Sequence, residues 1–274
     1  MKTEATRTLL FGIFVAAGRR LTAAQVIRLA RPLGISASNV KSHLTRMVAD
    51  GALRRSGLRR AMVYWSSPDQ ARVVKGIEAR LAQPPRQPWD NRWLLLTLRM
   101  PAHRAQRERL RAMLWFDGFR PWLANSFLRP AWPQPWAQER SREVLARIPG
   151  VCVCGTLLGR LDLGRVRAAY GLDALDREAR RLARAIEAIK IPFGSAAQAF
   201  AARLRVGGLV ARLMGHDPHL PAALWGRRTG MRDLIRAFGR FDARIAPRAR
   251  RFVAAALIGE SGAMRRMVAA SRSG

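Results

Sequence analysis

Apolar positions recur along the first third of the chain with a spacing that fixes its elements. Leu9, Leu10, Ile13 and Phe14 mark the buried stripe of a first helix, and Leu21 and Val26 continue the same core. Pro32-Leu33-Gly34 ends a second helix, and Ser36 is suited to cap a third, because its hydroxyl can accept from an amide of the first turn. In that third helix Val40, Leu44 and Met47 or Val48 fall at three-to-four spacing and are expected to pack inward. Ser38, Asn39, Lys41, Ser42, Thr45 and Arg46 are then left on the open side. Arg54-Arg55 and Arg59-Arg60 flank a turn at Ser56-Gly57, and AMVYW supplies the return strand of a basic hairpin.

Beyond the hairpin, Ser67-Pro68 starts a helix with Val73, Val74, Ile77 and Leu81 on one side. Pro84-Pro85-Arg86-Gln87-Pro88 is a stiff linker and a domain boundary. The next stretch alternates: strand 93–100, helix 104–117, a second strand within 119–128, helix 136–148, and strand 151–158 with no hydrophilic face. That β-α-β-α-β order predicts a small ferredoxin-like α+β domain. From Leu161 onward only helical patterns follow, over 172–188, 196–214, 231–241 and 249–258. The expected fold class is therefore α+β, mostly α, with a winged helix-turn-helix over 1–83, a ferredoxin-like domain over 84–165 and a helical domain over 166–274.

Charge narrows the class of partner. Fifty lysines and arginines against 18 acidic residues give 274 residues a net charge of +32, which points first to a polyanion. The excess is almost all arginine and spread from end to end, so it does not locate the contact. The two cysteines, Cys152 and Cys154 in VCVCG, share one face of a strand; a disulfide at that spacing is strained, and a reduced, cytoplasmic chain is the simpler reading. His216 and His219 are the nearest further metal-ligand types, but nothing in the sequence brings them to the cysteines, and no metal or other cofactor is expected. The apolar run 9–17 is like a signal peptide, yet Glu4 in its leading part and Arg19-Arg20 beyond it argue for a helix. No run is long enough to span a bilayer, so no membrane is expected.

Small polar and basic side chains on the face from Ser38 to Arg46 are of the kind that reach base edges and phosphates in a major groove. The arginines of the hairpin suit flanking backbone or minor groove. The head thus reads as a winged helix-turn-helix aimed at double-stranded DNA. An enzyme finds little support. A nuclease of ferredoxin-like fold would need a carboxylate at the end of its first strand, where this chain has Leu98-Arg99-Met100-Pro101; Asp90 and Asp117 make no clustered pair by sequence. Catalytic Ser-His-Asp, phosphate-loop and zinc motifs are absent. A general basic nucleic-acid-binding protein would account for the charge but not for the head.

LGISASNVKSHLTRMVADGAL at the corner, WDNRW over 89–93, WFDGF over 115–119 and DPHLPAALW over 217–225 occur in an order and spacing that resembles the PaaX family of bacterial transcriptional repressors. The resemblance implies a homodimer on a palindromic operator, controlling a catabolic operon and released when a small-molecule effector of the acyl-CoA or aryl-CoA thioester type binds. It carries the recognition helix onto 36–50 and the wing onto 53–65. Such an effector needs cations for its phosphates and an apolar slot, for which Trp115, Phe116, Trp122, Trp132 and Trp136 are the candidate lining.

Overall fold

The computed structural model describes residues 2–18, 20–57, 62–82, 89–131, 150–156, 162–218, 220–225 and 229–258. The chain is α+β and mostly helical, with two antiparallel sheets among the described residues. The expected linker over 84–88 and helix over 136–148 lie outside those residues.

The residues divide into two compact units: Met1–Lys75, Arg184–Ala211 and Arg236–Gly274 form one, and Gly76–Ala183 with Arg212–Ile235 the other. The helical segment beyond 166 thus contributes to both.

The first unit begins with α1 (Lys2–Ala17), β1 (Leu21–Thr22) and α2 (Ala23–Ala30). Thr22 caps α2 in a reciprocal box: its hydroxyl accepts from Gln25 N at 3.2 Å, while Gln25 Oε1 accepts from Thr22 N at 2.9 Å. A 3₁₀ turn (Arg31–Leu33) follows, closed by Gly34 at φ +77°. Then come α3 (Ala37–Ala49), β2 (Leu53–Ser56), β3 (Val63–Ser66) and α4 (Pro68–Ala82). The three short strands pair in the order β1-β3-β2, with Leu21 opposite Tyr64 and Arg54 opposite Trp65.

The core of this unit joins the two ends of the chain. Leu10, Ile13, Val26, Leu29, Val40, Leu44 and Met47 pack with Phe200 and Leu204 of α8 (Ala196–His216) and with Val253 and Leu257 of α10 (Gly230–Ile258). Gly12 and Gly208 let α1 and α8 approach closely: a Cβ on Gly12 would sit 3.3 Å from Leu204, and one on Gly208 3.4 Å from Thr8. Arg203 of α8 holds Asp242 of α10 with two bonds, of 2.6 and 3.2 Å. The sequence predicts two helices over 231–258, but α10 runs through Pro247 without a break. Ile245, Ala246, Ala249 and Val253 are buried on both sides of that proline, and their packing offsets its missing backbone bond.

In the second unit β4 (Arg92–Leu98), α5 (Arg104–Phe116), β5 (Arg120–Leu123), β6 (Ser126–Pro130) and β7 (Gly150–Thr156) build a sheet of order β5-β6-β4-β7, antiparallel throughout. What reads in sequence as one strand over 119–128 is a hairpin, turned at Asn125 with φ +57°. Leu96, Leu98, Phe119 and Phe127 pack with Leu110 and Leu114 of α5. A second cluster combines Trp93 and Leu128 with Val166 and Tyr170 of α6 (Leu163–Tyr170), Leu172 of α7 (Leu172–Glu187) and Leu224 of α9 (Ala222–Trp225). The strand 150–156 is not buried as its composition suggests: Val151, Cys152 and Val153 are exposed.

A Cβ on Gly34 would meet no atom within 4 Å, so Gly34→Ala isolates the cost of the left-handed backbone. We expect a loss of about 1 kcal/mol in urea unfolding, and an unchanged or raised midpoint would contradict the turn geometry.

Candidate nucleic-acid interface

One helix carries most of the candidate residues. Ser36 caps α3, its hydroxyl accepting from Asn39 N at 3.3 Å, as the sequence predicts. Val40, His43, Leu44 and Met47 are buried, whereas Ser38, Asn39, Lys41, Ser42, Thr45 and Arg46 are all exposed. The polar candidates therefore share the solvent side of a single helix. Two of them are held by short-range bonds: Thr45 Oγ1 donates to Lys41 O at 3.2 Å, and Arg46 Nη2 donates to Ser42 Oγ at 3.3 Å. No carboxylate occurs within Ala37–Ala49, and the one that follows, Asp50, accepts from Arg7 of α1 at 2.8 Å. The open face is thus polar and positive.

The hairpin lies next in the chain. Arg54 and Arg55 are exposed on β2. Ser56 belongs to β2 rather than to the turn, and Gly57 opens a longer loop at φ +104°. Arg59 and Arg60 fall outside the described residues. The guanidinium of Arg20 stacks on the Trp65 ring, 4.3 Å from its centroid. A groove of about 590 Å³ runs beside the hairpin, lined among others by Val48, Arg54, Arg55 and Trp65.

His43 was not visible as distinct in the sequence, where it sits inside a polar run. Its position three residues after Val40 and four before Met47 was the available signal. Burial, then the nearby Arg46 and Arg7, hold its pKa below the usual value of 6.5.

The effector candidates are dispersed. Trp122 packs in the cluster of Trp93, Leu128 and Tyr170, and its ring is covered by Arg165 at 4.3 Å. Trp115 lies outside that cluster, 41% exposed, with Arg120 stacked 3.6 Å from its ring centroid. Trp132 and Trp136 lie outside the described residues, as does the side chain of Phe116.

What sequence reasoning passed over is the pair of arginines between them. Arg120 is 1% exposed, sandwiched between Trp115 and Tyr170, and donates to the carbonyls of Trp115 and Phe119 at 2.9 Å. Burial pushes its pKa down to about 10, against the opposing pull of Tyr170 and Asp217. Arg129 is also buried and donates to the Asp117 carbonyl at 2.9 Å; its pKa is likewise lowered by burial. Nothing in FRPWL or FLRP distinguishes these arginines from the many on the surface.

Asp90 accepts from Arg92 N at 3.0 Å, and Asp117 is buried at the end of α5. No group of three His, Cys, Asp or Glu suited to a metal occurs among the described residues, and none of the described helices is long and apolar enough to cross a membrane.

Because His43 is harder to protonate folded than unfolded, the unfolded chain takes up the proton first as pH falls. Stability from this group is full above about 6.5 and is lost below it, toward the lowered folded value. Urea unfolding at about pH 7.5 and about pH 5 should show a smaller acid loss for His43→Leu than for the parent. Equal losses would contradict a buried neutral imidazole.

No family model matches the chain, and no curated protein matches it. Among solved structures it is similar to an uncharacterised protein from Mycobacterium tuberculosis, Rv0674, at 21% identity and a TM-score of 0.51, over 85% of this chain and 91% of that one. The likeness shows a shared fold.

Proposed function

We propose that this protein is a DNA-binding transcriptional regulator, acting as a repressor of a catabolic operon in the cytoplasm. In this reading residues 1–83 are a winged helix-turn-helix, 84–165 a ferredoxin-like domain and 166–274 a helical domain. A homodimer sets its two α3 helices into successive major grooves of a palindromic operator, about 34 Å apart. An acyl-CoA or aryl-CoA thioester binds better to the arrangement in which that spacing is lost, and so releases the DNA.

The observation that carries the reading is the sorting of α3. Its four apolar-side residues are buried, while all six polar candidates, two of them cationic, face solvent without a carboxylate among them. The sheet order β1-β3-β2 beside a helix corner supports a wing. The order β5-β6-β4-β7 supports the ferredoxin-like assignment, with β4 and β6 central. The nuclease alternative would need a group of metal-holding carboxylates about Asp90 or Asp117, and no group of three His, Cys, Asp or Glu suited to a metal occurs among the described residues.

Operators are recovered by selection from random duplexes, and binding is measured by anisotropy against salt. Lys41→Ala with Arg46→Ala should erase most of the preference for the selected operator over random duplex, at least about tenfold. Arg54→Ala with Arg55→Ala should weaken both duplexes alike and reduce the salt slope by about two. Equal loss on both duplexes from the first pair would contradict the recognition role of α3.

The effector half of the reading is checked by melting temperature against a panel of acyl-CoA and aryl-CoA thioesters. At least one should raise it, since a ligand selective for the folded state stabilises by mass action. A panel without a shift would contradict thioester sensing.

A further inference from the structure

We propose that the second half of α10 holds the phosphate backbone of DNA beside the half-site that α3 occupies, through Arg244, Arg248 and Arg251. The proposal rests on the DNA-binding reading above and extends its contact surface to a second helix of the same unit.

Over much of the molecule arginine is met by acid: Arg111 by Glu108, Arg167 by Asp173, Arg180 by Asp176 and Arg212 by Glu178. The first half of α10 follows that pattern, with Asp233 near Arg180, Arg240 bonded to Glu187 and Asp242 held by Arg203. The second half does not. Residues 243–258 contain arginines at 244, 248, 250 and 251, all of them exposed, and no acid. Among the described residues no carboxylate pairs with any of these arginines. The apolar side of the same stretch, Ile245, Ala249 and Val253, is buried, so the charges stand on the solvent side of a firmly seated helix.

The neighbouring chain adds charge to this surface. Arg248 Nη1 donates to the Phe193 carbonyl at 2.8 Å, which anchors the guanidinium and leaves its charge in place. That carbonyl belongs to a stretch, 188–211, that also lacks acids, and Lys190 is exposed within it. Two acid-free stretches thus meet and make one cationic surface. Arg244, Arg248 and Arg251 recur at i, i+4 and i+7, on one side of the helix, and span about 10 Å of its axis. Successive phosphates of one strand advance about 3.4 Å along a duplex, so the row matches about three of them. The planar fork of a guanidinium suits phosphate oxygens.

α8 links this surface to α3. It begins at Ala196, three residues after Phe193, and its Arg205 donates to the Leu33 carbonyl in the turn that leads into α3. From Ala196 to Arg205 the helix rises about 14 Å, the advance of about four base pairs. The basic row and the turn before α3 are therefore joined by a short length of rigid helix, within the reach of one duplex.

Arg244→Gln with Arg251→Gln tests the surface in the full-length protein. Neither side chain is bonded within the fold, so the thermal melt should be unchanged. Anisotropy against salt is measured on the selected operator extended by about 12 base pairs on each side, on the same operator cut flush with its half-sites, and on random duplex of the extended length. At about 0.1 M salt the double variant should bind the extended operator and the random duplex at least about fivefold more weakly than the parent, with the salt slope reduced by about two per protomer. The flush operator should be bound within about twofold of the parent. Arg104→Gln with Arg109→Gln on α5 removes the same charge from exposed positions of the other unit and should leave all three duplexes unaffected.

An unchanged slope on the extended duplexes, an equal loss on the flush operator, or an equal loss from the α5 variant would each overturn the surface. A parent without operator preference whose slope falls in the double variant leaves this surface and overturns the recognition role of α3. Operator preference with a slope that the double variant does not change does the reverse.

Discussion

The contact on which the rest depends is the seating of α8 against the amino-terminal helices. Leu204 and Phe200 enter the core that holds Leu10, Val40 and Leu44, and glycines at 12 and 208 remove the side chains that would hold the two helices apart. Arg205 adds a bond of 3.3 Å to the carbonyl of Leu33, in the turn that precedes α3. The orientation of α3 is therefore set partly by residues more than 150 positions away. An isolated helix corner of this size buries too little apolar surface for rigid presentation, and the far helices make up the shortfall.

Arginine does several unlike jobs in this chain, so the charge of +32 has no single meaning. Arg120 and Arg129 are buried against aromatic rings and bonded to backbone carbonyls, where their planar groups are easier to desolvate than an ammonium. Arg203 ties two helices through a part-buried carboxylate. Arg7 neutralises Asp50, the acid at the end of α3. What remains on the solvent side of α3 and on β2 is a smaller and better defined set of cations than the composition suggests.

Local chemistry was legible in the sequence and long-range packing was not. Ser36, Gly34 and the stripe Val40–Leu44–Met47 act within a few residues, so spacing alone placed the corner and sorted the polar face. Asn125 escaped notice because a single residue in a left-handed turn splits an otherwise continuous strand pattern. Pro247 works in the opposite direction, since tertiary burial on both sides keeps α10 continuous where local rules end a helix. The apolar composition of GVCVCGT suits a buried strand, whereas β7 ends the sheet order among the described residues with Val151, Cys152 and Val153 exposed. For the candidate site, the face of α3 was readable, whereas the burial of Arg120 and the dispersal of Trp115 and Trp122 depend on partners distant in sequence.

The claim that the far end of the chain holds α3 in place is tested most directly by amide hydrogen exchange in Leu204→Ala. That change removes side-chain atoms from the shared core without touching the exposed face of α3. Exchange of the amides from Val40 to Met47 should accelerate at least about tenfold relative to the parent. Unchanged protection in α3, with acceleration confined to α8, would contradict the account.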